Sequence, residues 1–301
     1  MSITNYYYYK GIMNQISIII PTWNRKENLF KTLTCLQRNL KAMARGMVEV
    51  IVVDDCSTDG TDEMLKQFIN IRVIKTENRV SWNASIPRNI GAKASSKGSQ
   101  LLVFLDSDVS LPPDRIQRYY DLFFKEADVN NVIIGPYHFL REPVDVTSEL
   151  WYQEESIKNY DGDIRLQSFM DHPVEEKNTG LGFALACFGG NIGIPRKLFF
   201  KAGGYDEAVT SGCEDGDFGL TLWETGATFT LDMGLLGWHQ PHQIANSRTK
   251  DISQMVKYID GKHNMDLIKA TGETYRKWGL GEWIVPDSWL KESEETAEAN
   301  V

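Results

Sequence analysis

The chain reads as an α/β protein built on a doubly wound, mostly parallel, Rossmann-like sheet. Strand-length apolar runs alternate with amphipathic stretches over the first 135 residues in a β-α-β-α-β-α-β order. Parallel neighbours need helical crossovers of that kind. The runs Ile16–Ile20 and Val48–Val53 are almost wholly aliphatic, as strands covered on both faces must be. Carboxylates crowd the residues just after the second and fourth runs, and doubly wound sheets bind ligands beyond the carboxyl ends of their strands.

The elements follow in order. Ile16–Ile20 is the first strand, stopped by Pro21. Glu27 to Ala44 is a helix, with Leu29, Leu33, Leu36 and Leu40 on one face. Val48–Val53 is the second strand. Gly60–Phe68 is a short helix opened by the capping residues Ser57, Thr58 and Asp59. Ile71–Lys75, Asn83–Ala94 and Leu101–Leu105 continue as strand, helix and strand. Beyond Asp114 the pattern is less regular. Helices are expected over Arg115–Lys125, Val146–Tyr160, Pro195–Ala202, Asp215–Thr225 and Asp251–Ala270. Strands are expected over Val132–Gly135, Thr228–Leu231 and Leu235–Trp238. Asp161–Gly182 is polar and glycine-bearing, and reads as a long loop of the kind that covers sites.

Composition narrows the function. The 301 residues carry 32 Lys and Arg against 41 Asp and Glu, a net charge of −9. So acidic a chain lacks the basic footprint of a general nucleic-acid binder. A phosphorylated ligand must be held by a metal ion or by a few placed cations. Cys35, Cys56, Cys187 and Cys213 have neither zinc-site nor disulfide-framework spacing, and read as reduced buried thiols. The start, with Tyr6–Tyr9, lacks the pattern of a signal peptide. No run approaches the roughly 20 apolar residues of a membrane span. The expectation is a cytoplasmic protein without a transmembrane segment, with peripheral membrane contact left open.

Paired carboxylates at the tip of a buried strand need compensation, and a hard divalent cation is the usual one. Asp54-Asp55 ends the second strand and Asp106-Ser107-Asp108 the fourth. The plainer alternative for Asp106 and Asp108 is a turn and helix cap before Pro112-Pro113.

Four blocks then carry a resemblance: IIIPTWNR (Ile18–Arg25), VVDDCSTDGT (Val52–Thr61), PRNIGAKAS (Pro87–Ser95) and FLDSDVSLPPD (Phe104–Asp114). In this order and spacing they resemble family 2 glycosyltransferases of the GT-A fold. GGNIGIPRKLFFKAGGYDE (Gly189–Glu207), SGCEDGDFGLTLWETG (Ser211–Gly226) and GWHQPH (Gly237–His242) are similar to the C-terminal part of the galactosyltransferase and chondroitin-polymerase type.

The resemblance implies roles residue by residue. Pro21, Thr22, Trp23, Asn24 and Arg25 lie at the turn that contacts the nucleotide. Asp55 accepts the uracil imide N–H. Arg88 lies near the diphosphate, and Asp106 and Ser107 belong to the nucleotide site. Asp106 and Asp108 form the DxD motif, with Asp108 the better metal ligand and His239 a further one. His242 is the rival histidine. Mn²⁺ or Mg²⁺ is the implied cofactor. Asp215 is the implied general base, with Glu214 binding acceptor or donor hydroxyls. Gly189, Gly190, Asn191 and Trp238 are candidates for sugar or acceptor contact. The Gly212-Cys213 pair departs from the relatives' Gly-Gly before Glu-Asp, which leaves the sugar they read there unassigned.

The implied activity is metal-dependent, inverting transfer of a hexose or N-acetylhexosamine from a UDP-sugar. The acceptor is a glycan, a lipid-linked sugar or a peptide. A nucleotidyltransferase would also use a doubly wound sheet and metal-binding carboxylates. It typically has a glycine-rich basic loop after the first strand, which Pro21–Arg25 is not. The third alternative is a non-catalytic nucleotide-sugar-binding module, against which the intact Asp55, Asp106, Asp108, Asp215 and His239 argue. The expected organisation is an N-terminal arm (1–14), a nucleotide-sugar-binding half (15–135), and an acceptor-binding and catalytic half (136–246). A C-terminal helical extension (247–286) and an acidic tail (287–301) follow.

Overall fold

The computed structural model describes residues 15–77, 83–126, 128–148, 150–153, 157–163, 181–210, 213–242 and 252–264. The N-terminal arm, most of the 161–182 loop and the acidic tail therefore lie outside the described residues.

The first strand, β1 (Ile16–Thr22), runs two residues further than expected, through Pro21. The strand on one side pairs with it only as far as Ile19, so the missing N–H of Pro21 falls past that ladder. Helix α1 (Lys26–Ala42) buries Leu29, Leu33 and Leu36 as one stripe. Strand β2 (Val48–Asp54) follows. Helix α2 is shorter than expected, Thr61–Leu65. Asp59 alone among the foreseen caps serves it, accepting the Thr61 N–H at 3.1 Å. Its other oxygen accepts the Lys26 N–H at the head of α1 at 2.9 Å. Strand β3 (Ile71–Lys75), helix α3 (Ser85–Ala94) and strand β4 (Leu101–Leu105) complete the alternating half.

Next come β5 (Val109–Ser110), α4 (Arg115–Glu126), β6 (Asn131–Ile134), β7 (Tyr137–Leu140) and β8 (Tyr160–Asp161). The helix expected over Val146–Tyr160 is absent among the described residues, which form turns, bends and irregular backbone before Tyr160 enters β8. Arg38 explains this. Its guanidinium donates to the carbonyls of Val146, Thr147 and Ser148, the acceptors a helix would need for itself. The later described elements are α5 (Leu181–Leu185), β9 (Asn191–Pro195), α6 (Arg196–Lys201), α7 (Glu214–Glu224), β10 (Thr228–Leu231), a 3₁₀ turn at Met233–Leu235, β11 (Gly237–His239) and α8 (Ile252–His263). The last expected strand is thus displaced, and His239 lies inside β11 rather than after it.

Among the described residues the larger sheet has seven strands, in the order β10-β6-β9-β4-β1-β2-β3. All neighbours are parallel except β9, which is antiparallel to both β4 and β6. The order reverses between β1 and β4, which opens the crevice where such sheets bind ligands. Alternate side chains feed opposite cores. Ile18, Ile20, Val103 and Leu105 pack beneath α1 and α4, whereas Ile19, Leu102 and Phe104 pack against α5, α6 and α7. A smaller sheet, β5-β11-β7-β8, abuts the crevice.

Helix α7 is seated by a close approach to α5. A Cβ on Gly219 would stand 1.8 Å from the Ala184 carbonyl oxygen. That atom belongs to backbone and cannot swing aside. Gly219→Ala is therefore expected to destabilise the fold by about 1–3 kcal/mol, read as a lower midpoint in urea.

Candidate active site

The tips of β1, β2 and β4 converge. The Asp55 N–H donates to the Thr22 carbonyl at 2.9 Å, tying β2 to β1. Thr76 donates its hydroxyl to Asp55 Oδ1 at 2.7 Å, so the buried carboxylate is held in one orientation. Asn24, at φ 48°, staples the neighbouring loop. Its N–H donates to Ser57 Oγ (2.9 Å) and its Oδ1 accepts the Thr58 N–H (2.7 Å). Thr32 donates to the Ser107 carbonyl at 3.0 Å, fixing the β4 tip over α1.

Arg88 gathers three carboxylates from distant parts of the chain. Its guanidinium stands 2.9 Å from Asp106, 3.1 Å from Asp215 and 3.6 Å from Glu214. The side chain is 3% exposed, and the guanidinium lies 5.2 Å from the centre of the Tyr205 ring. The expected diphosphate cation is thus engaged by the acidic residues themselves. Gly189 and Gly190 make this packing possible. A Cβ on Gly189 would lie 2.6 Å from the Arg88 guanidinium carbon, and one on Gly190 2.8 Å from Asp106 Oδ2.

Asp215 and Glu214 occupy the first turn of α7. Burial pushes the Asp215 carboxyl up to about 7; Arg88 pulls against it, Glu214 and Asp106 add to it, and the Gly189 N–H opposes. Its side chain still keeps 21% of its surface open. A carboxylate that titrates near neutrality and meets solvent has the properties of a general base.

A second group lies around Asp108. His239 Nε2 is 3.4 Å from Oδ1, and His242 Nε2 is 3.1 Å from Oδ2. The ligand atoms of all three residues fall within 4.8 Å of one another. The two rival histidines therefore converge on one carboxylate, and Asp106 is absent from the group. Burial pushes the Asp108 carboxyl up, but His239, His242 and Arg25 outweigh it and hold it below the usual range. Burial lowers the His239 pKa against the pull of Asp108, which favours the neutral ring that ligates metals. Arg25 Nη2 is 2.9 Å from His242 Nδ1. A guanidinium only donates, so that nitrogen accepts and Nε2 carries the proton toward Asp108. In this arrangement His242 orients the carboxylate through one oxygen, and His239 Nε2 faces the other.

The donor set fits a divalent cation. Asp108 Oδ1 is buried and accepts no hydrogen bond among the described residues. One carboxylate with imidazole favours Mn²⁺ over Mg²⁺, which prefers oxygen throughout.

Two sugar-contact expectations are corrected. Asn191 is fully buried. Its Oδ1 accepts the Tyr119 hydroxyl at 2.9 Å, and its amide donates to the carbonyls of Leu235 (2.9 Å) and Pro136 (3.3 Å). It braces the sheets. Trp238 is 2% exposed and packs edge-on against His138 and Tyr160, in the core beneath the smaller sheet. Cys213 is not an activated thiol, because burial pushes it up to about 12, with Glu214 and Asp217 adding to the effect. Sequence reasoning missed Tyr205 behind Arg88; only its place within Gly203-Gly204-Tyr205 marked the segment.

The fold is a doubly wound α/β sheet whose strand tips carry a crevice lined by carboxylates and histidines. The chain belongs to glycosyl transferase family 2, whose family model matches residues 17–188. It is 29% identical to the chondroitin synthase of Escherichia coli over 248 residues, 76% of this chain and 35% of that protein. It is 28% identical to the validoxylamine A glucosyltransferase of Streptomyces hygroscopicus subsp. jinggangensis over 243 residues, 76% of this chain and 56% of that one. The chain thus spans about a third of the first and just over half of the second. The crystal structure of S. aureus TarS 1–349 in complex with UDP-GlcNAc superposes with a TM-score of 0.62 at 16% identity, covering 89% of this chain and 71% of that one. That likeness is one of fold. No helix among the described residues is long and apolar enough to cross a membrane.

Proposed function

We propose that the protein is a metal-dependent, inverting transferase that moves a hexose or N-acetylhexosamine from a UDP-sugar to a hydroxyl of a glycan, lipid-linked or peptide acceptor. The observation that carries this reading is Asp215, half-sheltered at the head of α7 with its pKa raised to about 7, sharing one arginine with Asp106 of the β4 tip. UDP-GlcNAc bound to the TarS fold relative supports the donor class.

Asp55 accepts the imide N–H of uracil, while Pro21, Thr22 and Trp23 form the edge of the base site. Asp108 and His239 hold the cation, with His242 and Arg25 orienting Asp108. A bound cation supplies Lewis-acid stabilisation to the departing diphosphate, which so acidic a chain needs. Arg88 holds Asp106, Glu214 and Asp215 at fixed separations. Glu214 binds a sugar hydroxyl. Asp215 takes the proton of the acceptor hydroxyl as its oxygen bonds the anomeric carbon, and UDP departs from the opposite face. Residues 15–135 supply most of the donor site and 136–246 the acceptor side.

The test is UDP release from UDP-glucose, UDP-galactose and their N-acetylamino forms, with Mn²⁺ and with EDTA. Mn²⁺-dependent release from one donor is the expected result; none from any donor would refute it. Asp55→Ala is expected to weaken UDP by roughly tenfold to a hundredfold, the worth of a hydrogen bond to a charged group. The loss should be the same for every UDP-sugar, since the base is common to them. Calorimetric titration reads it.

A further inference from the structure

Outside the site, the end of α8 carries a buried ionic group that the proposed mechanism leaves unused. Asp217, half a turn after Asp215 on α7, has a side chain 1% exposed. Both its oxygens are taken. Lys262 Nζ is 2.8 Å from Oδ2 and His263 Nε2 is 3.0 Å from Oδ1. His263 is itself 1% exposed, and its Nδ1 lies 2.9 Å from Glu224 at the far end of α7. One imidazole therefore bridges two turns of the helix that carries Glu214 and Asp215. Burial lowers the His263 pKa, but Asp217 and Glu224 raise it further, favouring the cation that two carboxylates require.

Lys262 makes a second link. Its Nζ is 3.0 Å from Asp206, which also accepts the Tyr258 hydroxyl at 3.0 Å. Asp206 follows Tyr205, whose ring backs Arg88. Asn89, next to Arg88, clamps the same segment: its amide donates to the Tyr205 carbonyl (2.8 Å) and its Oδ1 accepts the Tyr205 N–H (3.0 Å). Val256 and Ile259 seat α8 in the core shared with Phe218 and Leu222. Two adjacent residues thus hold both structures that converge on Asp215: the first turn of α7, and the tyrosine behind the arginine.

We propose that Lys262 and His263 are positioning residues for transfer, acting through Asp217 on the Glu214–Asp215 turn and through Asp206 on the Tyr205–Arg88 contact. The proposal rests on the reading of Asp215 as the base. A partner lost from a buried carboxylate leaves an uncompensated charge, and the turn must shift to find water.

The test uses the full chain with Lys262→Met and His263→Gln; the glutamine keeps an N–H for Asp217 and preserves the fold if the methionine does not. Turnover of the best UDP-sugar at saturation is expected to fall roughly ten- to a hundredfold, as for a misplacement of about 1 Å. UDP affinity with Mn²⁺ should stay within about twofold, because the base site sits on β1 and β2. Amide exchange across Glu214–Asp217 should quicken, and Asp217→Asn added to Lys262→Met should recover part of the turnover. Normal turnover in folded variants, unchanged exchange at that turn, or equal losses of turnover and UDP affinity would each overturn the proposal. Asp215→Asn alone reports on the base reading, while the exchange measurement does not depend on it, so the two fail separately.

Discussion

Asp215→Asn is expected to leave UDP-sugar binding intact and to lower transfer by roughly 10²–10⁴-fold, the usual worth of a positioned base. The amide is nearly isosteric and can still meet Arg88. A general base works only when deprotonated, and on the proposed reading Asp215 is that base. Its pKa is pushed up to about 7 by burial, against the pull of Arg88. Turnover should accordingly rise with pH through neutrality, and that limb should vanish in the asparagine variant. The anomeric configuration of the product, read by NMR, completes the test. Near-normal transfer by the variant would remove Asp215 as base, and a retained configuration would remove the direct displacement.

The second large effect is expected at Asp108. Asp108→Ala deletes the carboxylate on which His239 and His242 converge, and leaves Arg25 beside two imidazoles with no anion. UDP binding should lose its Mn²⁺ dependence. The affinity should fall by more than the roughly 10–100-fold that outer-shell changes cost at metal sites. EDTA should reproduce the loss in the parent and change nothing in the variant. His239→Ala should behave likewise, whereas His242→Ala should retain part of the response, because His242 serves as an orienting group. Titrating UDP by calorimetry with and without metal decides among these outcomes.

The alternating half of the fold was legible because its signals are local. Aliphatic runs such as Ile16–Ile20 and Leu101–Leu105 and the leucine stripe of α1 need no distant partner to be read. The second half hid its structure for the opposite reason. Strand β9, Asn191-Ile192-Gly193-Ile194-Pro195, carries glycine and proline that signal a turn, yet its pairing with β4 and β6 overrides them. The helix missing from 146–160 was cancelled by Arg38, more than a hundred residues earlier. In the site, Asp55, Asp108, Asp215 and His239 were singled out by the resemblance of the motif blocks that hold them. The sharing of Arg88 among three carboxylates was not, since those partners lie 18, 126 and 127 positions away. Nor was the burial of Asn191 and Trp238, because a motif names a residue without saying which way it faces.

Strand β9 also has a consequence for how the chain reaches this structure. It lies between β4 and β6, and β6 pairs with β4 only through it. As the chain emerges from the ribosome, β1 to β4 can assemble early from sequence-local crossovers. Strand β6 then has no sheet to join until residues 191–195 have been made. For that interval β4 presents the bare apolar edge Leu101–Leu105, a template for unwanted strand addition. Insertion of β9 closes the edge. The same event carries Gly189 and Gly190 against Arg88 and Asp106, so the strand that joins the two parts of the sheet also brings the glycine pair into the site. Variants that weaken β9 should therefore show themselves first as aggregation during synthesis, before any defect in a purified enzyme.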